Sequence, residues 1–224
     1  MTVELVVVPT AEEAAREAAQ RLAQAAFAGS AIALAGGSTP RRAYALAGQI
    51  ERDWSRASIW WGDERCVPPD DPRSNYLLVQ EALLARVDRP REVHRIPGEL
   101  DPSAAADAYD RELDGAELDL VLLGLGPDGH TASLFPNAAT LDERSRRVVE
   151  AEAKLEPFVP RVTMTIPALA SAADVLFLVT GAEKADAAGR AFAGEPDPAT
   201  PASLVRSAEG KTAAVLDSAA AERI

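Results

Sequence analysis

The chain has 224 residues, 47% of them hydrophobic and 26% charged, a profile that fits a single globular domain spanning 1–224 with a full core. Its formal net charge of −12 argues against a nucleic-acid partner, whose phosphates demand many Lys and Arg; an anionic small ligand requires basic groups gathered in one place. The lone Cys66 excludes an intramolecular disulfide, and Met1-Thr2-Val3-Glu4 leads into a strand with neither a basic leader nor an apolar run of membrane length, so a cytoplasmic location away from membranes is expected.

Short apolar runs alternate with helical patterns along the whole chain. Val3 to Val8 reads as a strand and Ala11 to Phe27 as a helix; Ala31 to Ala35 and Arg41 to Ala47 repeat the pair. Ile59 to Gly62 is a strand, followed by a loop rich in Pro and Asp and by a helix from Asn75 to Leu84 with Ser74 as its N-cap. A further helix is expected from Ser103 to Leu113. Asp119 to Gly124, Arg161 to Ile166, Val175 to Thr180 and Thr212 to Leu216 are strands, most of them nearly continuously apolar, as when helices cover both faces of a sheet. This order predicts an α/β fold with a doubly wound, mainly parallel sheet.

In such sheets ligands bind beyond the carboxyl ends of the strands. Four strand exits carry chemistry: Gly36-Gly37-Ser38-Thr39-Pro40, Gly62-Asp63-Glu64-Arg65, Gly126-Pro127-Asp128-Gly129-His130 and Gly181-Ala182-Glu183-Lys184. All four are expected to meet in space. The first has two readings: a cradle whose N–H groups and helix dipole hold a phosphate, or a turn capped by Ser38 or Thr39, with Pro40 opening the helix in either case. It lacks the Gly-Lys-Ser/Thr ending of a Walker A loop.

Gly124-Leu125-Gly126-Pro127-Asp128-Gly129 spells the glycine pattern of a dinucleotide fingerprint, with Glu150 at a suitable distance for the ribose acid. The pattern fails because Phe135-Pro136-Asn137 breaks the helix that should follow, and Pro127 removes an N–H from the turn. His130, one of two histidines, follows this loop with Asp128 two residues earlier. That spacing lets the carboxylate hold one imidazole nitrogen and leaves the other as a general base near neutral pH. His94 has no such company and reads as structural. Two distant histidines and one cysteine do not make a zinc site, and Ser133 lies outside a Gly-x-Ser-x-Gly elbow, so neither metal nor serine-nucleophile chemistry is expected.

Leu34-Ala35-Gly36-Gly37-Ser38-Thr39-Pro40, Trp61-Gly62-Asp63-Glu64-Arg65, Ser74-Asn75-Tyr76, Gly124 to Pro136, Arg161-Val162-Thr163-Met164-Thr165 and Thr180-Gly181-Ala182-Glu183-Lys184-Ala185 together resemble the 6-phosphogluconolactonase family over nearly the whole chain. The related glucosamine-6-phosphate deaminases share the early glycine loop, an Asp in the second exit and the Asp-Gly-His core. Their histidine is typically followed by Ile-Ala-Phe-Asn-Glu-Pro; here Thr131-Ala132-Ser133-Leu134-Phe135-Pro136 stands instead, without the Glu. The resemblance implies a carboxylic ester hydrolase of the oxidative pentose phosphate pathway that acts on a phosphorylated sugar lactone without a cofactor. His130 is then the expected base and Asp128 its orienter. Ser38, Thr39, Arg65, Arg161 and Lys184 are the candidate phosphate ligands, and Gly36, Gly37, Asp63 and Gly129 complete the candidate substrate contacts. Arg65 has the competing reading of an ion pair with Asp63 or Glu64, Arg161 that of an exposed strand start, and Asp63 that of a loop-fixing carboxylate. A monomer or weak homodimer is expected. The rival readings are an amino-sugar-phosphate isomerase or deaminase, and a sugar-phosphate-sensing effector domain.

Overall fold

The computed structural model of the chain describes residues 2–154 and 156–224. In chain order the elements are β1 (Val3–Val8), α1 (Ala11–Ala28), β2 (Ala31–Leu34), α2 (Ser38–Ile50), β3 (Ser58–Trp61), β4 (Asp63–Arg65) and α3 (Asn75–Ala82). They continue with β5 (Glu92–His94), α4 (Pro102–Leu113), β6 (Leu120–Leu123), β7 (Val148–Ala151), β8 (Arg161–Met164), α5 (Ile166–Ala170), β9 (Asp174–Val179), α6 (Ala185–Ala188) and β10 (Lys211–Asp217). Among the described residues no helix is long and apolar enough to cross a membrane.

Seven strands form one parallel sheet in the order β1-β10-β9-β6-β2-β3-β5. The interior strands β2, β6 and β9 are apolar because they are buried on both faces: every residue of β6 is buried, as are five of the six in β9. From β2 the chain winds through β3 to β5, then returns to lay β6 on the other side of β2. The exits of β2 and β6 therefore diverge, and a crevice opens between them at this switch point.

Helix α1 shows how local chemistry seats an element. Thr10 caps its first turn by accepting the Glu13 N–H at 3.2 Å and donating to the Glu13 carboxylate at 2.9 Å, and Gly29 ends it in the left-handed region at φ 84°. Its buried face, Ala14, Ala15, Ala18, Ala19, Leu22 and Ala26, follows the helical repeat, and the small side chains allow close packing.

Two expectations need correction. Arg161 to Ile166 is not a strand of the main sheet: β8 ends at Met164 and lies between β4 and β7 in a separate antiparallel sheet, and Ile166 begins α5. Thr165 ends the strand by turning its hydroxyl into the cap of that helix, where it accepts the Ala168 N–H at 3.4 Å. Helix α2 starts at Ser38, so Pro40 stands inside its first turn instead of opening it. His94 is structural, as expected, but well supported: on edge strand β5 its ring stacks on Trp60 at 3.8 Å and its Nδ1 lies 2.6 Å from Glu112.

Candidate active site

The four loaded exits do meet. They line a crevice of about 260 Å³ at the switch point, walled by Ser38 and Thr39, by Asp63 and Arg65, by His130, and by Lys184. Arg161 enters from β8.

At the exit of β2, Tyr44 reaches back from α2 and its hydroxyl donates to the Ala35 carbonyl at 2.6 Å while accepting the Ala35 N–H at 3.0 Å. The strand edge is thereby satisfied by a side chain, and the loop is free to splay. Gly37, at φ 104°, precedes α2, and no side chain caps the helix. The capped-turn reading of this loop fails on that point. The uncapped N–H groups of the first turn, the dipole of a 13-residue helix and the hydroxyls of Ser38 and Thr39 leave this helix start chemically suited to an anion. Thr39 Oγ1 lies 3.3 Å from Thr180 Oγ1, joining the first exit to the fourth.

The second exit is held by buried acids. Glu64 accepts the N–H groups of Arg65, Asn75 and Tyr76, each at 2.7 Å, and the Ser74 hydroxyl at 3.0 Å. Burial pushes its carboxyl above the ordinary value against the pull of those four donors. The carboxylate thus sews β4 to the start of α3. Glu64→Ala orphans four donors, two of them fully buried, and we expect a loss of about 3 kcal/mol. In a chain of this size that lowers Tm by about 6–12 °C, which a thermal melt would show.

Among the described residues Asp63 makes no ion pair; Ser133 Oγ donates to its Oδ2 at 2.6 Å and Asn75 Nδ2 to its Oδ1 at 3.2 Å. Arg65 and Arg161 face each other as register partners across β4 and β8. Neither competing reading of these arginines holds. Arg65 makes no ion pair with Asp63 or Glu64 and instead donates to the Arg73 carbonyl at 2.6 Å, while Arg161 is buried, donating to Val159 O at 3.2 Å and Pro157 O at 3.0 Å. Burial, and then the neighbouring Arg65 charge, pull the Arg161 guanidinium below its ordinary value. Two like charges held side by side, offset at Arg161 only in part by Asp63 and Glu64, favour an anion in the space before them.

At the third exit, Gly126 N–H donates to the His130 carbonyl at 2.8 Å and closes a tight loop. A Cβ on Gly126 would lie 2.0 Å from His130 Nδ1, so only glycine lets the imidazole fold back over the turn. Asp128 Oδ1 meets His130 Nδ1 at 2.6 Å and accepts the His130 N–H at 3.1 Å. Burial raises the Asp128 carboxyl, but these hydrogen bonds and the imidazole charge outweigh it and leave the group below its ordinary value. The carboxylate stays ionised, fixes the proton on Nδ1, and leaves Nε2 unclaimed. Phe135 supports the ring, with centroids 5.1 Å apart.

At the fourth exit the Gly181 N–H is anchored by the Asp217 carboxylate at 3.0 Å, and Lys184 stands at the end of a short turn leading into α6. Burial depresses the Lys184 ammonium against the opposing pull of Glu183 and Asp128. Lys184, Arg65 and Arg161 all lack an ion-pair partner among the described residues, unlike Arg42 or Arg95, each within 2.6 Å of a glutamate.

Of the candidate site residues, Gly36, Gly37, Ser38, Thr39, Asp63, Arg65, His130, Arg161 and Lys184 line the crevice, and Asp128 stands behind His130. Gly129 does not reach it: a Cβ there would meet Thr200, and its carbonyl accepts the Ala202 N–H. Asn75 lines the crevice too; in the sequence it marks a helix start and part of the Ser74-Asn75-Tyr76 resemblance, neither of which gives it a role in the site. Ser133, dismissed as a nucleophile, is the partner of Asp63.

The chain is similar to known proteins over most of its length. A family model described as glucosamine-6-phosphate isomerases/6-phosphogluconolactonase matches residues 7–214. The chain is 38% identical over 200 residues to a 6-phosphogluconolactonase of Nostoc, covering 84% of this chain and 82% of that one. Against a 6-phosphogluconolactonase of Streptomyces coelicolor it is 37% identical, with 100% and 95% covered. The solved structure of 6-phosphogluconolactonase from Trypanosoma brucei superposes with a TM-score of 0.87 at 30% identity, covering 100% of this chain and 99% of that one.

Proposed function

Because the chain belongs to the glucosamine-6-phosphate isomerase/6-phosphogluconolactonase family, we propose that it hydrolyses 6-phospho-D-glucono-1,5-lactone to 6-phosphogluconate in the oxidative pentose phosphate pathway. The observation that carries this reading is one crevice joining a carboxylate-oriented imidazole to three cations that form no ion pair among the described residues.

The chemistry follows from the parts. His130 Nε2 takes a proton from water as the oxygen attacks C1 of the lactone, and N–H groups of the glycine loops stabilise the oxyanion that forms. Collapse of the tetrahedral intermediate breaks the bond between C1 and the ring oxygen. The imidazolium returns its proton to that oxygen, leaving an open-chain hydroxy acid whose carboxyl then ionises. Asp128 holds the tautomer throughout. Ser38, Thr39, Arg65, Arg161 and Lys184 take the phosphate, Asp63 takes a sugar hydroxyl, and Gly36 and Gly37 allow close approach of the backbone. Binding energy from the remote phosphate orients the carbonyl. No cofactor enters the scheme. A cytoplasmic monomer or weak homodimer belongs to the same reading.

Depression of Lys184 sets a pH dependence. The charged form exists below its pKa, and burial places that pKa below the ordinary 10.5. Affinity for 6-phosphogluconate should therefore weaken as pH rises through the alkaline range, earlier than for an exposed lysine. Lys184→Arg, which keeps its charge, should flatten that limb in a calorimetric titration; an unchanged limb would assign the loss to another group.

The deaminase alternative is separated by one assay. Freshly made lactone should open faster than its spontaneous rate, and glucosamine 6-phosphate should release no ammonia. Ammonia release without lactone hydrolysis would reverse the reading.

A further inference from the structure

The crevice contains a carboxylate that the proton-transfer scheme does not use. Asp63 is only 6% exposed, faces the crevice and makes no ion pair among the described residues. Buried charges of this kind need donors, and Asp63 receives them from two distant parts of the chain. Ser133, itself fully buried, reaches it from the histidine loop, and Asn75 reaches it from the first turn of α3. Asn75 also donates to the Asp63 carbonyl at 2.9 Å, while its own Oδ1 is buried without a hydrogen-bond partner and abuts Gly36, where an added Cβ would lie 1.8 Å away. The second exit, the histidine loop and the start of α3 are thus tied together at one carboxylate.

We propose that Ser133 and Asn75 are positioning residues that clamp Asp63, one on each oxygen, so that its remaining lone pairs present a rigid acceptor to a hydroxyl of the sugar ring. A carboxylate held at both oxygens cannot swivel about its last torsion, and it accepts about four hydrogen bonds in all, which leaves capacity toward the crevice. Ser133 sits three residues after His130, and the intervening Ala132 adopts a positive φ of 49°, an uncommon conformation for a residue with a Cβ. That turn carries Ser133 away from the imidazole and down onto Asp63. The loop that supplies the base thereby also sets the distance between base and sugar.

The inference rests on the lactonase reading, and a double-mutant cycle tests it separately. Steady-state kcat/KM for 6-phosphogluconolactone is measured for wild type, Ser133→Ala, Asp63→Asn and the double variant, with thermal midpoints alongside. If Ser133 acts through Asp63, its removal lowers kcat/KM about tenfold or more in the wild-type background and by less than about twofold once Asp63 is already asparagine. Equal losses in both backgrounds, or no loss in either, would overturn the clamp. Should Ser133→Ala fail to fold, Asn75→Ala removes the other arm and is read by the same two outcomes. A wild type inactive on the lactone would remove the functional reading instead, and the same cycle read as affinity for 6-phosphogluconate would still decide the clamp.

Discussion

Replacing His130 by alanine is expected to lower kcat for lactone hydrolysis by about 10²–10⁴-fold, the usual contribution of a positioned base, while KM changes little. The side chain is 24% exposed and its ring nitrogens hold no structural element beyond Asp128, so the fold should survive. The proposed phosphate contacts lie on other exits and remain in place. Asp128→Asn should fall short of the alanine variant, since it disturbs the tautomer and leaves the base present. Steady-state kinetics with a thermal melt as control checks both; full activity in His130→Ala would remove the assigned role.

Arg161→Ala is expected to lower kcat/KM for the phosphorylated lactone by about 10²-fold or more, the worth of a charge-assisted bidentate contact. The informative part is the contrast. Unphosphorylated glucono-1,5-lactone should lose less than about threefold, because Arg161 has nothing to hold when the phosphate is absent. Arg161→Lys should recover only part of the loss, as a point charge on a flexible stem does not reproduce the planar fork. Equal losses on both lactones would mean that Arg161 acts by holding 157–159 through its bonds to Pro157 O and Val159 O, with no contact to the phosphate.

The main sheet and the four loaded exits are legible in the sequence for a physical reason. Interior parallel strands such as Leu120–Leu123 are buried on both faces and read as unbroken apolar runs, and a turn rich in glycine follows wherever the chain must bend back sharply. The histidine loop is legible because Asp128 and His130 satisfy each other locally, two residues apart. The small antiparallel sheet is not. Asp63-Glu64-Arg65 has no strand pattern, and its charges are tolerated in the interior only because Arg73, Asn75 and Tyr76 on the following turn and helix, and Ser133 on a far loop, provide donors and acceptors. For the same reason Arg161 can be imagined as an exposed strand start until Pro157 and Val159 fold their carbonyls around it. Asn75 shows the limit most clearly. A helix start explains the residue type adequately, and only the three-dimensional meeting of Asp63 and Gly36 shows that it does more.

The central claim is that this crevice accelerates hydrolysis of a phosphorylated sugar lactone. Acid release from freshly generated 6-phospho-D-glucono-1,5-lactone, followed with and without the wild-type protein and corrected for spontaneous opening, tests it most directly. The predicted result is saturable acceleration well above the spontaneous rate, with unphosphorylated lactone a far poorer substrate. A progress curve that superposes on the uncatalysed one across protein concentrations would contradict it.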